Sequence, residues 1–383
     1  MSQLTKFRYL ARRGIHLVLA IFVLQSVALA RCPILAGGSL FLRAPLGNLL
    51  VDTSVTGFIE VEVSDSTIEV EEQCFDDHVE IGGTAPARQF GPIDWRIRVP
   101  ATVDLDLITY AGGIRVATTE GDVILRTTGG NVVMENIGGG AAVITQGGSI
   151  LAGNIGGNAE LRSLGGQIEI GDVAGDAELE TRGGPIRTGT ISGQVQAETA
   201  GGSINIQESR GELNAVTLAG DIIIGTAGKA TLQTAGGNII GLVIHGAFQG
   251  YTELGDIRIE RAESSIEATS GFGDIQARLA PLSLEGDLHI ELKTTSGNIR
   301  LAIPEGLPAN LETIIERTLM QAPRVRSDFP LRAVGSGNNN RPPIAQGFAI
   351  QRSDRSTTEL NGGGNIIRLQ TSRGTIEIRR IRQ

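Results

Sequence analysis

The chain has 383 residues, with 53 glycines, 13 prolines, 40% hydrophobic residues, only 4% aromatic residues and a formal net charge of −9. So much glycine beside so few aromatic side chains excludes a large aromatic-cored globule, and the hydrophobic fraction excludes a disordered chain. The acidic balance disfavours polyanions, so we predict no nucleic-acid partner.

The first thirty residues have the pattern of a secretory signal peptide. Basic residues come first (Lys6, Arg8, Arg12, Arg13), an apolar run extends from residue 15 to residue 30, and the run ends in the small-residue sequence "ALA". We therefore predict a signal peptide over residues 1–30 and an exported protein in the periplasm, associated with the outer membrane, or at the cell surface. The alternative is a retained membrane anchor, because the apolar run is near the short limit for spanning a bilayer.

The two cysteines, Cys32 and Cys74, are the candidate disulfide of the chain. An isolated pair in an oxidising compartment favours one bridge over two free thiols. Lipid attachment at Cys32 is a further alternative, but lipoprotein processing needs a small residue before the cysteine, and this position holds Arg31.

Alternating apolar and polar residues fill the segment before the repeats. The stretches "FIEVEV" (58–63) and "DWRIRV" (94–99) are typical of β-strands. We predict that residues 31–100 form an N-terminal β segment or cap.

Residues 109–251 repeat one pattern with a period of about eighteen, as in "TAGGSINIQESRGELNAV" (199–216). The first column holds Thr109, Thr127, Thr145, Ser163, Thr181, Thr199, Thr217 and Thr234. The fourth column holds Gly112, Gly130, Gly148, Gly166, Gly184, Gly202, Gly220 and Gly237. The sixth column is Ile or Val in every row, and a second glycine recurs about nine residues after the first.

This period predicts an all-β, parallel β-solenoid, similar to a β-helix, with about 18-residue coils and two short strands per coil over residues 101–303. We expect the fourth-column glycines to form corners that need positive φ and that leave no room for side chains. Parity along the strands turns the Thr/Ser column inward, where its hydroxyls are expected to bond one another or the corner backbone. One inner wall should be Ile, and the facing wall Ala, Val and Leu.

The repeat pattern breaks after the regular region. Residues 304–362 are predicted to be an irregular insertion with a flexible Gly, Asn and Pro loop, and residues 363–383 to be the final strands of the solenoid. Arg379, Arg380 and Arg382 are expected to block edge-to-edge pairing of the last coil.

The motifs "TTSGNIRLAIPEG" and "TSRGTIEI", the segment "WRIRVPATVDLDL" and the leader together resemble the bacterial exported "putative adhesin" family, β-strand-repeat proteins of unknown function. The resemblance extends over residues 40–383. It implies a β-solenoid-like fold and export, and it implies no established activity.

Candidates for chemistry are few, so we predict no catalytic, cofactor-binding or metal-binding residues. The histidines of the predicted mature chain, His78, His245 and His289, are far apart in sequence, and zinc-ligand spacing is missing. Aspartates follow corner glycines but are not expected to stack in consecutive rows as a calcium ladder would. They are Asp122, Asp176, Asp221, Asp256, Asp274 and Asp287.

These observations favour an exported, non-enzymatic scaffold or adhesin-like binder in the cell envelope or at its surface, with an envelope polysaccharide or another surface protein as partner. One alternative is a carbohydrate-active lyase or hydrolase, which would need carboxylates from different coils to converge in a groove. Another is an envelope filament protein that stacks end to end as a homo-oligomer. Exposed terminal strands would permit stacking, and a covering cap made by residues 31–100 would prevent it at one end.

Overall fold

The computed structural model describes residues 28–86, 92–284, 286–317, 324–333 and 352–381. Two long β-sheets, here called sheet A and sheet B, extend through these ranges, and the same ranges contain no helix. Residues 1–27 of the leader predicted over residues 1–30, and the Gly, Asn and Pro loop at 334–351, lie outside the described residues. Residues 28–30 of the predicted leader belong to the first strand, where they pair with the fourth.

The first seven strands extend both sheets ahead of the repeats. They are β1 (Ala28–Pro33), β2 (Ser39–Ala44), β3 (Asn48–Asp52), β4 (Phe58–Val63), β5 (Glu69–Cys74), β6 (His78–Thr84) and β7 (Asp94–Arg98). Sheet A begins β1-β4-β7-β3, and sheet B begins β5-β6-β2. The pairs β1–β4, β4–β7 and β5–β6 are antiparallel, which sets this end apart from the parallel repeats.

A disulfide joins the two sheets at this end. Cys32 lies on β1, the first strand of sheet A, and Cys74 lies on β5, the first strand of sheet B. Their sulfur atoms are bonded and their Cα atoms are 5.5 Å apart, a normal separation for a disulfide. Among the described residues, the bridge therefore ties together the outermost strand of each sheet at this end.

The repeats supply strands β8 to β29. They are β8 (Asp104–Thr109), β9 (Ile114–Val116), β10 (Val123–Thr127), β11 (Val132–Met134), β12 (Ala141–Thr145), β13 (Ile150–Ala152), β14 (Ala159–Ser163), β15 (Ile168–Ile170), β16 (Ala177–Thr181), β17 (Ile186–Ile191), β18 (Val195–Thr199), β19 (Ile204–Ser209), β20 (Leu213–Thr217), β21 (Ile222–Ala227), β22 (Ala230–Thr234), β23 (Ile239–Ile244), β24 (Phe248–Thr252), β25 (Ile257–Ala262), β26 (Ile266–Ser270), β27 (Ile275–Leu279), β28 (His289–Thr294) and β29 (Ile299–Pro304).

Each repeat contributes one strand to each sheet, and every strand pairs in parallel with its equivalent in the next coil. Thr127 is the register partner of Thr109 and of Thr145 in sheet B, and Val132 pairs with Ile114 in sheet A. The predicted parallel solenoid with two strands per coil is confirmed.

Side chains alternate along each strand, and those that point inward fill the space between the two sheets. The inner wall of sheet A is mainly isoleucine, for example Ile150 and Ile168, and the facing wall of sheet B carries residues such as Ala159 and Leu161, all at most 2% exposed. Each buried branched side chain contributes about 1.5 to 3 kcal/mol, so a ladder of thin coils accumulates stability without a wide core.

Every repeat also has a third inward-facing residue, which the sequence analysis did not anticipate. It follows the sheet A strand after a bend and is buried in coil after coil: Thr119, Ile137, Ile155, Val173, Ile191, Ser209, Ala227, Ile244 and Ala262. Isolated parallel bridges link the early members, such as Ile137 to Ile155, and from β17 onward the sheet A strands extend to include this residue. The coil therefore has a third, narrow side.

The last strands come from the segment predicted to be irregular and from the predicted final strands. They are β30 (Ala309–Arg317), β31 (Arg324–Ser327), β32 (Arg332–Ala333), β33 (Arg352–Leu360), β34 (Asn365–Thr371) and β35 (Thr375–Ile381). The final strands β34 and β35 pair with β28 and β29. The strands of the predicted insertion lie beyond them, with sheet B ending β34-β30-β33-β32 and sheet A ending β35-β31.

This order contradicts the role predicted for the terminal arginines. The strand that carries Arg379 and Arg380 lies between β29 and β31, so it is not the terminal strand of sheet A. Its pairing with β31 ends at Ile378, and the Arg380 N–H donates to Asp328 Oδ2 at 3.0 Å. Arg380 instead bonds Glu305 at 2.6 Å and the backbone carbonyl of Asp328 at 2.6 Å. Arg382 lies outside the described residues.

Candidate binding surface

The corner glycines set how closely the coils stack. A Cβ on Gly130 would collide with the carbonyl of Gly112, one on Gly148 with that of Gly130, and the same collision recurs along the whole column. Of the eight predicted glycines, Gly112 alone has positive φ (139°), so the expectation of positive φ is wrong for the other seven. Glycine is needed there because the backbone of the preceding coil occupies the place of a side chain.

The Thr/Ser column lies inward, and its hydroxyls bond the corner backbone. Thr127 Oγ1 donates to the Gly112 carbonyl at 2.7 Å, and Ser163 Oγ donates to the Gly148 carbonyl at 2.8 Å while accepting the Gly166 N–H at 2.9 Å. Later coils continue the column with Thr252, Ser270, Thr294 and Thr371, each donating to the corner glycine of the coil before. Where the hydroxyl also accepts a corner N–H, as at Ser163, it satisfies backbone groups of two coils in a region from which water is excluded.

At the corners, asparagine and aspartate side chains also form hydrogen bonds between successive coils. Asp256 Oδ1 accepts the Asp274 N–H at 2.7 Å, and Asp274 Oδ1 accepts the Asn298 N–H at 2.7 Å. The aspartates therefore do stack in consecutive coils here, contrary to the sequence analysis. These side-chain oxygens accept hydrogen bonds from backbone N–H groups of the next coil. Such a bond needs a short side chain that carries an acceptor atom.

A continuous surface strip runs along the third side of the solenoid. We call it the third-side strip and define it by pairs of outward residues in four successive coils: Asn136 and Gly138, Asn154 and Gly156, Asp172 and Ala174, Thr190 and Ser192. Glu120 bounds it at one end and Arg210 at the other. These two residues are five coil steps apart, which at the spacing of parallel strands is about 24 Å.

The polar side of the third-side strip is held in place by hydrogen bonds. Asn136 Oδ1 accepts the Asn154 N–H at 3.0 Å, Asn154 Oδ1 accepts the Asp172 N–H at 2.9 Å, and Asp172 Oδ1 accepts the Thr190 N–H at 2.7 Å. The exposed Asn136 and Asn154 also carry side-chain Nδ2 groups, which are hydrogen-bond donors. The other side of the strip is Gly, Gly, Ala and Ser, so nothing projects over it.

The ends of the third-side strip carry opposite charges. Arg210 Nε donates to Glu208 at 2.9 Å, and this hydrogen bond raises the pKa of Arg210 above its ordinary value. Glu120 at the opposite end is exposed. The strip is therefore bounded by the carboxylate of Glu120 at one end and by an arginine–glutamate pair at the other.

On the outer face of sheet B, carboxylates from neighbouring coils lie close together, as the enzyme alternative requires. Here they surround an arginine. Arg162 contacts Glu178 at 2.5 Å, Glu160 at 3.2 Å and Glu180 at 3.7 Å. The hydrogen bond that Arg162 donates to Glu178 is the main cause of the raised pKa of Arg162. All four side chains are between 41% and 51% exposed. Glu160 and Glu178 line an open concavity on this face together with Asp176 and Glu212, and the carboxylates that come closest to one another surround the Arg162 cation.

The three described histidines lie apart from one another. His245 Nδ1 is 2.8 Å from Glu263 on the third side, His289 is 3.5 Å from Glu291, and His78 stacks on Phe75 near the first strands of sheet B. Within the described ranges, no group of three or more His, Cys, Asp or Glu side chains is placed to hold a metal ion. The described residues also contain no helix of the length and apolarity needed to cross a membrane.

Comparisons with known proteins give two structural likenesses. No family model matches the chain, and no curated protein matches it. A "putative cell adhesion protein" from Clostridium sporogenes is 8% identical, with 93% of this chain and 100% of that chain covered and a TM-score of 0.17. A "putative adhesin" from Parabacteroides distasonis is 14% identical, with 72% and 96% covered and a TM-score of 0.27.

Both names agree with the family resemblance found in the sequence. Because both TM-scores are below 0.5, we base no functional inference on these likenesses. The function is inferred below from the surface of this chain.

Proposed function

We propose that this chain is an exported, non-enzymatic scaffold or adhesin-like protein of the cell envelope or cell surface that binds an extended envelope polysaccharide along the third-side strip. The observation that carries the proposal is the unbroken run of short side chains over four coils, held in place because the side chains of Asn136, Asn154 and Asp172 accept hydrogen bonds from the backbone of the next coil. A rigid surface loses little conformational entropy when it binds.

The chemistry of the strip fits a saccharide. Amide, carboxylate and hydroxyl groups recur at the spacing of one coil, about 4.8 Å, and can bond the hydroxyls of a linear polymer in register. The small residues beside them let a polymer lie against the backbone. A protein partner would be expected to need a larger apolar patch at the centre of its interface.

The test is binding of the exported chain to an array of envelope polysaccharides. Ala174→Arg combined with Ser192→Arg fills the strip with two long cationic side chains, because both positions are exposed. Gln196→Arg combined with Asn214→Arg adds the same charge to the exposed outer face of sheet B and is the matched control.

We expect the strip variant to lose at least about ten-fold in affinity, the equivalent of one or two hydrogen bonds, and the control to bind as the unmodified chain does. Equal binding by both variants would show that another face holds the ligand. Turnover of any polysaccharide would replace the proposal with the enzyme alternative, and binding only to a surface protein would replace the polysaccharide as partner.

A further inference from the structure

The two ends of the solenoid carry edge strands of the same pattern and opposite charge. Strand β5 opens sheet B and begins "EVE" (69–71), and strand β31 closes sheet A and begins "RVR" (324–326). Among the described residues, β5 pairs only with β6, and β31 pairs only with β35. Each strand therefore has one side on which no described strand pairs with its backbone.

The valines of these two strands contact the core. Val70 and Val325 are both partly buried and pack against the buried cluster of their own end. Glu69, Glu71, Glu72 and Arg326 are exposed. Each edge strand therefore presents charge to solvent on one face and an apolar residue towards the interior on the other.

We propose that the chain associates head to tail with a second copy of itself, with β5 of one copy pairing with β31 of the next. Pairing these strands places the exposed Glu69 and Glu71 of one copy against the exposed Arg326 of the next on the outer face, which stabilises a β-ladder, and brings the two valines to the same inner face. The contact joins two different surfaces, so it leaves a free end on each copy and extends into a filament unless the rotation closes a ring.

Charges on edge strands usually prevent unwanted pairing. Here the same charges favour this arrangement over the two symmetric ones, because two β5 strands repel each other and so do two β31 strands. The first end is not covered by a folded-over cap in the described residues, since β5 is exposed along almost its entire length. The inference does not depend on the third-side strip, because a chain that remains monomeric could still bind a polysaccharide there.

The test is sedimentation velocity of the exported chain over a range of concentrations, at low salt and at 0.5 M NaCl, with electron microscopy of the low-salt sample. We expect concentration-dependent oligomers or filaments at low salt and dissociation at high salt, where screening reduces the attraction between exposed charges. Glu69→Lys with Glu71→Lys makes both ends basic, and Arg324→Glu with Arg326→Glu makes both ends acidic. Each variant alone should associate at least about ten-fold more weakly than the unmodified chain.

Mixing the two variants distinguishes edge pairing from a general effect of charge. An equimolar mixture should recover association, because every contact in it joins an acidic strand to a basic one. Glu198→Lys with Glu253→Lys is the control, since it makes the same change of charge at exposed positions in the middle of the solenoid, and it should associate as the unmodified chain does. A monomer under all conditions, or variants that associate normally alone, would overturn the inference, as would a mixture that stays monomeric.

Discussion

Gly148 lies directly over Gly130 of the preceding coil, and the carbonyl of Gly130 occupies the space that a Cβ of Gly148 would need. Gly147, one residue earlier, has open space at the position that a Cβ would take. The stacking of the coils therefore requires glycine at position 148. No neighbouring atom requires it at position 147.

Gly148→Ala should lower the stability of the solenoid, because the coil must move to relieve the overlap. We expect a loss of about 1 to 3 kcal/mol, typical of overpacking, and Gly147→Ala should change stability by less than about 0.5 kcal/mol. Urea and thermal unfolding midpoints measure both. Equal effects from the two substitutions would show that the coils are not stacked at this corner.

Thr145→Val should destabilise the chain although it preserves shape. Thr145 Oγ1 donates to the Gly130 carbonyl at 3.0 Å and accepts the Gly148 N–H at 3.2 Å, and valine leaves both groups without this partner. The expected cost is about 1 to 3 kcal/mol. Thr145→Ser is the control, because Ser163 makes the same two bonds in the next coil, and a serine variant as unstable as the valine variant would contradict the role of the hydroxyl.

The solenoid could be predicted because its strongest determinants are local and repeated. Thr145, Gly148 and Ile150 recur at fixed spacing, and a fixed spacing in sequence becomes a fixed position in every coil. The residues that line the two facing inner walls could be predicted because side chains alternate between inward and outward along each strand.

The third side was missed because its signal is mixed. Its inward column holds Ile137 and Ile155 in some coils but Thr119 and Ser209 in others, so the apolar periodicity is weak. The third-side strip depends on that bend and was therefore not predicted either. Searching for apolar residues five positions after the Ile column would have found most of the inward residues.

The ends could not be predicted because pairing there is not sequential. Strand β35 enters between β29 and β31, although β31 precedes it in the chain, and a repeat pattern carries no information about such an insertion.

The reason for glycine at the corners could not be predicted from the sequence either. Positive φ and close stacking of coils both select glycine, so the sequence alone does not distinguish them.

Removal of the disulfide should loosen the first strands and leave the middle of the solenoid unchanged. Cys32 and Cys74 are 42 residues apart, and closing a loop of this size contributes between about 3 and 5 kcal/mol in the chain-entropy description. Hydrogen exchange by mass spectrometry should show faster exchange in β1 and β5 after Cys32→Ser with Cys74→Ser. Unchanged exchange in those strands would show that the bridge is not needed to hold them.

Glu263 should make a pH-dependent contribution to stability. Its side chain is only 6% exposed, and its pKa is held below the ordinary value, mainly by the hydrogen bond with His245 and also by the one with Arg261. A lowered pKa in the folded state stabilises the fold above the ordinary glutamate pKa of about 4.3, and this contribution is lost as the pH falls through the folded-state value.

Glu263→Gln tests this contribution. The variant should unfold at a lower denaturant concentration than the unmodified chain at pH 6, with a difference of at most about 1 kcal/mol because the flanking side chains are half exposed. The difference should shrink below pH 4. A difference that stays constant from pH 6 to pH 3 would contradict the assignment.

Distances between spin labels along one column test the central claim, that residues 101–303 form a ladder of equally spaced parallel coils. Ala142, Asn214 and Gln249 occupy equivalent outward positions of sheet B, connected through the registers of successive strands. Pairs of labelled cysteines at 142 and 214, and at 142 and 249, should give backbone separations of about 19 Å and about 29 Å by double electron–electron resonance, four and six steps of about 4.8 Å. Equal separations, or a shorter one for the pair further apart in sequence, would contradict the solenoid.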